Sequence, residues 1–519
     1  MNPDQLPEPS AGEPAAPLTA SYGTWASRIS SASLTEDAVS LDEVLIDGDW
    51  TYWLEGRASE GGRNVICRIG LDGPMQSLTP AGISVRSRVH EYGGAPYTVA
   101  EGVIYFVEAK TQQLHRQLPD GSIEVLTDIA GRRYADLVFD ATRQRLICVA
   151  EQHHSKEEPS NFIVAIGLGA ERTQEVLSEG HAFYASPRIS PDGARLAFCV
   201  WDHPDMPWES SQLMLADFQD DGRLAPMVLI AGGPNEAAIE PRFAAQGDLW
   251  FVSDRSGFWN LYRRHDEELI HVLDDDAEYS RAPWDFGIAQ FGVLETGQAV
   301  AIRDHQGKSS LVMVDGLTGA ATTLPLPYTE LSQLRVSPHG ATFLAASAID
   351  ATRLIRLDLV TGHLVTLQHS SALEFGPGAV SQPVAISYPT SGNAISHALY
   401  YAPCNPAYQG PAEERAPLIV MSHGGPTSST SSRLNAAIQF WTSRGFAVVD
   451  VNYRGSTGYG RAYRQALAGG WGITDVDDCV NAALYLVEQQ LVDRQRMAIR
   501  GGSAGGYTTL CALAFRQEF

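Results

Sequence analysis

Basic residues are scarce relative to acidic ones: 37 Lys and Arg stand against 61 Asp and Glu, a formal charge of −24 over 519 residues. Such an excess repels phosphate backbones and anionic headgroups, which argues against nucleic acid or an acidic membrane as a main partner. No stretch approaches the roughly 18 apolar residues that a membrane-spanning helix needs. Met1 to Pro17 has neither a basic segment nor an apolar one, so no secretory signal is expected there. Cysteine is sparse as well. Cys67, Cys148, Cys199, Cys404, Cys479 and Cys511 are scattered, mostly inside apolar runs, with no Cys-x-x-Cys. That excludes a disulfide framework and a thiolate metal site, and it fits reduced core thiols in a cytoplasmic protein. The 14 histidines form no His-x-x-x-His pair on a plausible helix, and no glycine-rich phosphate loop follows a strand. Neither a metal nor an organic cofactor is expected.

What is present is apolar surface to bury, at 44% hydrophobic residues, in a chain too long for one core. Residues 1–20 read as a disordered tail, and 21–47 as a segment that packs on the C-terminal domain. A repeat follows, in which a turn leads into an apolar strand and then a second strand. The turn markers are Gly48, Gly102, Thr142, Gly193, Gly247, Gly297 and Gly340, between 40 and 54 residues apart. Seven such units predict a seven-bladed β-propeller over 48–375.

Around Gln368 to Pro383 the repeat stops in a Ser/Gly/Pro stretch. Beyond it two strands, Val384 to Tyr388 and Ile395 to Tyr401, precede an alternation of strands and helices. Alternation of this kind predicts a mostly parallel sheet covered by helices, an α/β-hydrolase domain over 384–519.

Met497 to Leu510 carries the strongest signal. An apolar strand runs into Gly501-Gly502-Ser503-Ala504-Gly505 and then into an Ala/Leu-rich helix. The glycines fit the strained strand-to-helix turn that exposes a nucleophilic hydroxyl, which makes Ser503 the catalytic candidate. Acyl transfer also needs donors for the oxyanion. The backbone N–H of Ala504 is one candidate; Gly425, in the loop His423-Gly424-Gly425-Pro426 after another strand, is the second. His423 itself is expected to order that loop rather than act as a base. Tyr453, Arg454, Tyr507 and Glu91 are the substrate-contact candidates.

These motifs resemble the prolyl oligopeptidase family of serine peptidases, in its acylaminoacyl-peptidase/dipeptidyl-aminopeptidase-like branch. The resemblance rests on Gly501 to Tyr507, His423 to Pro426 and Asn452 to Gly460, with Val89 to Gly94, Trp201 to Trp208 and Ser253 to Gly257 in the propeller. It implies a serine exopeptidase or oligopeptidase acting on short peptides, with the propeller excluding folded proteins. An aminopeptidase would need an acid for the substrate α-amine, and Glu91, Asp202 or Glu209 could supply it.

One departure stands out. Hydrolase triads run in the order Ser, Asp/Glu, His, yet no His or Asp follows Ser503 in this sequence. The expectation is therefore a C-terminally incomplete hydrolase domain, a fragment with little turnover and a sheet edge exposed beside the Ser503 strand. An esterase on the same site is one alternative. A propeller-based binding protein with a degenerate hydrolase half is the other.

Overall fold

The computed structural model describes residues 16–32, 38–338, 340–371 and 375–519. Seven four-stranded antiparallel sheets follow one another in chain order from Val39 to His369, each a simple meander. Together they form a seven-bladed propeller. The ring closes between the first and last blades. There Leu41 and Trp53 pack on Leu344 and Leu354, and the Val39 N–H donates to the Ser370 carbonyl at 2.8 Å.

The strands found by their sequence pattern are the second of each blade, as in Trp50–Arg57, Arg145–Gln152 and Gly340–Ala346. Blades stack on both sides of them, so Arg145–Gln152 is buried at all but its last residue and its sequence is a nearly continuous apolar run. The strand preceding each turn marker belongs to the same blade, so the first blade opens at Val39 and not at Gly48. Five of these first strands carry a bulge with a positive-φ residue: Glu43, Asp136, Ser186, Glu240 and Gln333. A bulge breaks the two-residue alternation on which strand recognition depends.

Part of the expected tail, residues 1–15, lies outside the described residues. Leu18–Thr19 is ordered as a strand parallel to Tyr408–Gln409. Trp25 stacks on Tyr408 at 6.2 Å, and the Arg444 guanidinium donates to the Ile29 carbonyl at 2.8 Å.

The α/β-hydrolase portion is a five-stranded sheet. Its order is Val384–Thr390, Ala394–Tyr401, Ala447–Asn452, Ala416–Ser422, Val492–Gly501. The last three are parallel, and Val492–Gly501 lies at the edge of the sheet. Four helices accompany it: α1 (Ala436–Thr442), α2 (Gly460–Gln465), α3 (Thr474–Glu488) and α4 (Ala504–Phe515). Asn435 caps α1 by accepting from the Ala437 and Ile438 N–H groups, which fixes where this helix starts. Among the described residues no helix is long and apolar enough to cross a membrane.

The two domains meet through named polar contacts. Asp254 of the propeller takes the Nη1 of Arg461 and the Nη2 of Arg464, both on α2, at 2.5 Å each. The Ser432 and Thr329 hydroxyls lie 2.9 Å apart, and the Trp284 indole donates to the Thr427 carbonyl at 2.6 Å.

Candidate active site

The register Ser422↔Gly501 places the C-terminal ends of two neighbouring parallel strands side by side. The loop after each strand must therefore leave the sheet at the same point, the end at which open α/β sheets bind ligands. One loop is His423 to Pro426; the other is the turn carrying Ser503. A Cβ added at Gly424 would lie 3.4 Å from the Ser503 Cβ, so the two loops are in contact.

Ser503 has φ 53° and ψ −121°, and its side chain is exposed. An ordinary L-residue avoids this backbone region, and such strain persists only where the surroundings impose it. The surroundings do so here. The Ser422 hydroxyl donates to the Gly505 carbonyl at 3.1 Å, and the Gly505 N–H returns to the Gly502 carbonyl at 3.0 Å. Cβ atoms at Gly501 and Gly505 would collide with backbone carbonyls. The helix begins directly after Ser503, at Ala504. Neither the Ala504 N–H nor the Gly425 N–H is taken up by another described residue.

His423 orders its loop. Its Nδ1 lies 2.8 Å from the Gly424 carbonyl and its Nε2 2.8 Å from the Ser456 oxygen, whose hydroxyl donates to the Tyr453 carbonyl at 2.6 Å. The ring stacks on Tyr453 at 4.3 Å. Burial takes its pKa down to about 4 and keeps the imidazole neutral. Both nitrogens are thus occupied away from Ser503.

The substrate-contact candidates fare differently from one another. Tyr453 is fully buried and donates to the His423 carbonyl at 2.9 Å, so it supports the loop from beneath and offers no surface to a ligand. Arg454 is held by Asp478, with Nη2 2.8 Å from Oδ1, and by the Ser391 carbonyl at 3.1 Å; it pins the hairpin that opens the sheet. Tyr507 is exposed on α4, edge-on to Trp471 at 5.1 Å. Glu91 is exposed, pairs with Arg133 at 2.9 Å and lines a cavity in the propeller. Asp202 is engaged by His181 at 2.8 Å and Glu209 by the Met206 N–H at 2.8 Å.

A polar cavity of about 330 Å³ lies between the domains, lined by Thr427 to Ser431 on one side and by Asp304 and Glu330 on the other. Burial, reinforced by the charge of Glu330, pushes the Asp304 carboxyl up to about 7, and its Oδ1 makes no hydrogen bond. Asp450 is raised to about 6 by burial, and the Thr430 hydroxyl partly offsets the rise. Between about pH 4 and pH 7 the folded protein holds protons that the unfolded chain has released, so these groups lower stability as pH rises through that window. The fall in melting temperature from about pH 5 to pH 7.5 is therefore expected to be smaller in Asp304→Asn than in the wild type. A tenfold difference in proton affinity between the folded and unfolded chain corresponds to about 1.4 kcal/mol, and calorimetry at the two pH values reads the difference.

Comparison with known proteins agrees with this geometry. The family model described as "Prolyl oligopeptidase family" matches residues 432–519. The solved structure of a puromycin-hydrolyzing peptidase of Mycobacterium tuberculosis superposes with a TM-score of 0.91 at 34% identity, covering 96% of this chain and 79% of that one. The chain belongs to the prolyl oligopeptidase family. A Pyrococcus horikoshii acylaminoacyl peptidase shares the fold, with a TM-score of 0.69 at 18% identity, covering 93% of this chain and 76% of that one. Among curated relatives, dipeptidyl aminopeptidase BIII of Pseudoxanthomonas mexicana is 33% identical over 177 residues, 34% of this chain and 26% of that enzyme. Acylamino-acid-releasing enzyme 1 of Oryza sativa subsp. japonica is 39% identical over 93 residues, 18% of this chain and 12% of that enzyme. The alignments thus span about a quarter or less of these curated relatives.

Sequence reasoning missed Ser422, Ser456 and Trp284. No motif marks Ser422, and Ser456 lies inside the Asn452 to Gly460 motif without standing out in it. Trp284 stands in a short Pro-Trp-Asp stretch that the blade repeat does not account for.

Proposed function

We propose that this chain carries the nucleophile and the oxyanion donors of a serine peptidase acting on short peptides. The observation that carries the reading is Ser503, held exposed at a strained turn against the Gly424 loop. In this mechanism the Ser503 Oγ attacks the scissile carbonyl, the carbonyl oxygen becomes an oxyanion, and the free N–H groups of Ala504 and Gly425 stabilise it. A general base must accept the Ser503 proton and return it to the leaving amine. His423 cannot serve, because both of its nitrogens are committed elsewhere. Hydrolysis then requires a base from outside the described residues around Ser503. Cytoplasmic action on short peptides, without nucleic acid or membrane partners, is part of the same reading.

Residues 1–519 alone are expected to turn over chromogenic peptides roughly 10⁴- to 10⁶-fold more slowly than a complete triad would. A fluorophosphonate should attach slowly, at Ser503 only, and not at all in Ser503→Ala. Robust peptide turnover that Ser503→Ala abolishes would sink the incomplete-site reading. Labelling that persists in Ser503→Ala would remove Ser503 from its role. Ester substrates cleaved far faster than peptides would favour an esterase.

A further inference from the structure

A second cavity, of about 400 Å³, lies in the propeller. Aromatic rings make up much of its wall, with Glu91, Glu151, Asp205, Glu240 and Asp285 beside them. His90 meets Phe183 and Trp201 edge-on at 5.1 and 5.5 Å and lies 5.0 Å from Phe286. Trp208 and Tyr92 meet Trp284 at 4.4 and 5.3 Å. Burial lowers the His90 pKa to about 4, so this ring is neutral, and its buried Nε2 makes no hydrogen bond to any described residue. Such a wall favours a planar apolar group, because offset and edge-on ring pairs add to the burial of area. It disfavours an anionic chain, because the carboxylates of Glu91, Glu151, Asp205, Glu240 and Asp285 also line the cavity.

Trp284 belongs to both cavities. One part of its indole completes the aromatic box, and its Nε1 donates to the Thr427 carbonyl at 2.6 Å. Thr427 lies two residues beyond Gly425, in a turn so tight that a Cβ on Gly425 would sit 2.8 Å from the Thr427 nitrogen. The Thr427 carbonyl and the Gly425 N–H thus belong to one tight turn. Asp254 and the α2 arginines hold the domains together elsewhere, and none of those contacts reaches this loop.

We propose that Trp284 is a positioning residue. An aromatic side chain of a short peptide substrate fills the propeller cavity, braces the indole, and so fixes the loop that presents the Gly425 N–H. This rests on reading that loop as half of the oxyanion hole. The cavity selects for a ring, and filling it sets the donor in place. A peptide without a ring leaves the loop as it is in the unliganded protein.

The test uses the whole chain carrying Ser503→Ala, so that it stands even if the peptidase reading fails. Phe-Gly-NH2, Leu-Gly-NH2 and Glu-Gly-NH2 are titrated by calorimetry, and hydrogen exchange over residues 423–431 is followed by mass spectrometry. The Phe peptide is expected to bind at least tenfold more tightly than the Glu peptide, and more tightly than the Leu peptide, and to slow exchange in that loop. Adding Trp284→Phe keeps a ring in the wall but removes the N–H: binding should stay within about threefold while the loop protection disappears. Adding Trp284→Ala should weaken both. Each variant is compared at equal unfolding midpoint, so that a general loss of folding is not mistaken for the effect. Equal affinity for the Phe and Leu peptides, or for the Phe and Glu peptides, would overturn the aromatic site. Undiminished loop protection in Trp284→Phe would overturn the positioning role.

Discussion

Gly505→Ala is expected to destabilise the hydrolase domain by about 3 kcal/mol or more, at the upper end of overpacking effects, whereas Gly502→Ala should change stability by no more than about 0.5 kcal/mol. The two glycines sit in one pentapeptide and differ only in what surrounds them. A methyl group on Gly505 would lie 2.1 Å from the Ser422 carbonyl oxygen and 2.8 Å from that of His423. Both obstacles are backbone, so no side chain can rotate away. Relief would require the Ala416–Ser422 strand to part from Val492–Gly501, to which it is paired over six positions. At Gly502 nothing lies within 4 Å. Gly501→Ala should resemble Gly505→Ala, with the Gly505 carbonyl 2.3 Å from the added atom. Urea midpoints of the three variants decide the matter; a Gly505→Ala protein as stable as Gly502→Ala would show that the turn has room that these contacts deny.

Asp254→Ala should loosen the propeller from the hydrolase domain, at a cost of about 3–5 kcal/mol, the range for removing one partner of a buried ion pair. Asp254 is fully buried and accepts from both Arg461 and Arg464, and also from the Ala237 N–H at 2.8 Å. Its removal strands two guanidinium groups and one amide. Arg464 has little else to turn to: it is buried, lies over the Trp259 ring at 4.0 Å, and sits 3.8 Å from Glu278. Because the cluster is buried, added salt should shift the result little. Arg461→Ala should cost less, since Arg464 still neutralises Asp254. Limited proteolysis of the 371–383 connection, together with the radius of gyration in solution, would register the opening. An Asp254→Ala protein that resists protease as the wild type does would mean that the remaining contacts hold the domains unaided.

Some of this molecule was legible because its cause is local. The turn at Ser503 needs small residues on either side, and the chain writes that need as Gly501-Gly502-Ser503-Ala504-Gly505. Blade second strands, buried on both faces, announce themselves as apolar runs. Blade first strands hide behind their bulges, which moved the start of the propeller from Gly48 to Val39. Tyr453 and Arg454 stand at the right end of a strand for ligand contact, and only packing shows that they face the loop from below and Asp478.

The sequence by itself determined the two architectures and the nucleophile candidate, because each depends on residue type at short spacing. Tertiary structure alone decided what holds the site. Trp284 meets Thr427 across 143 residues, and Asp254 meets Arg461 and Arg464 across 207 and 210. Pairings of that range leave no periodicity in the chain. They exist only once the propeller ring has closed and the sheet has been set against it.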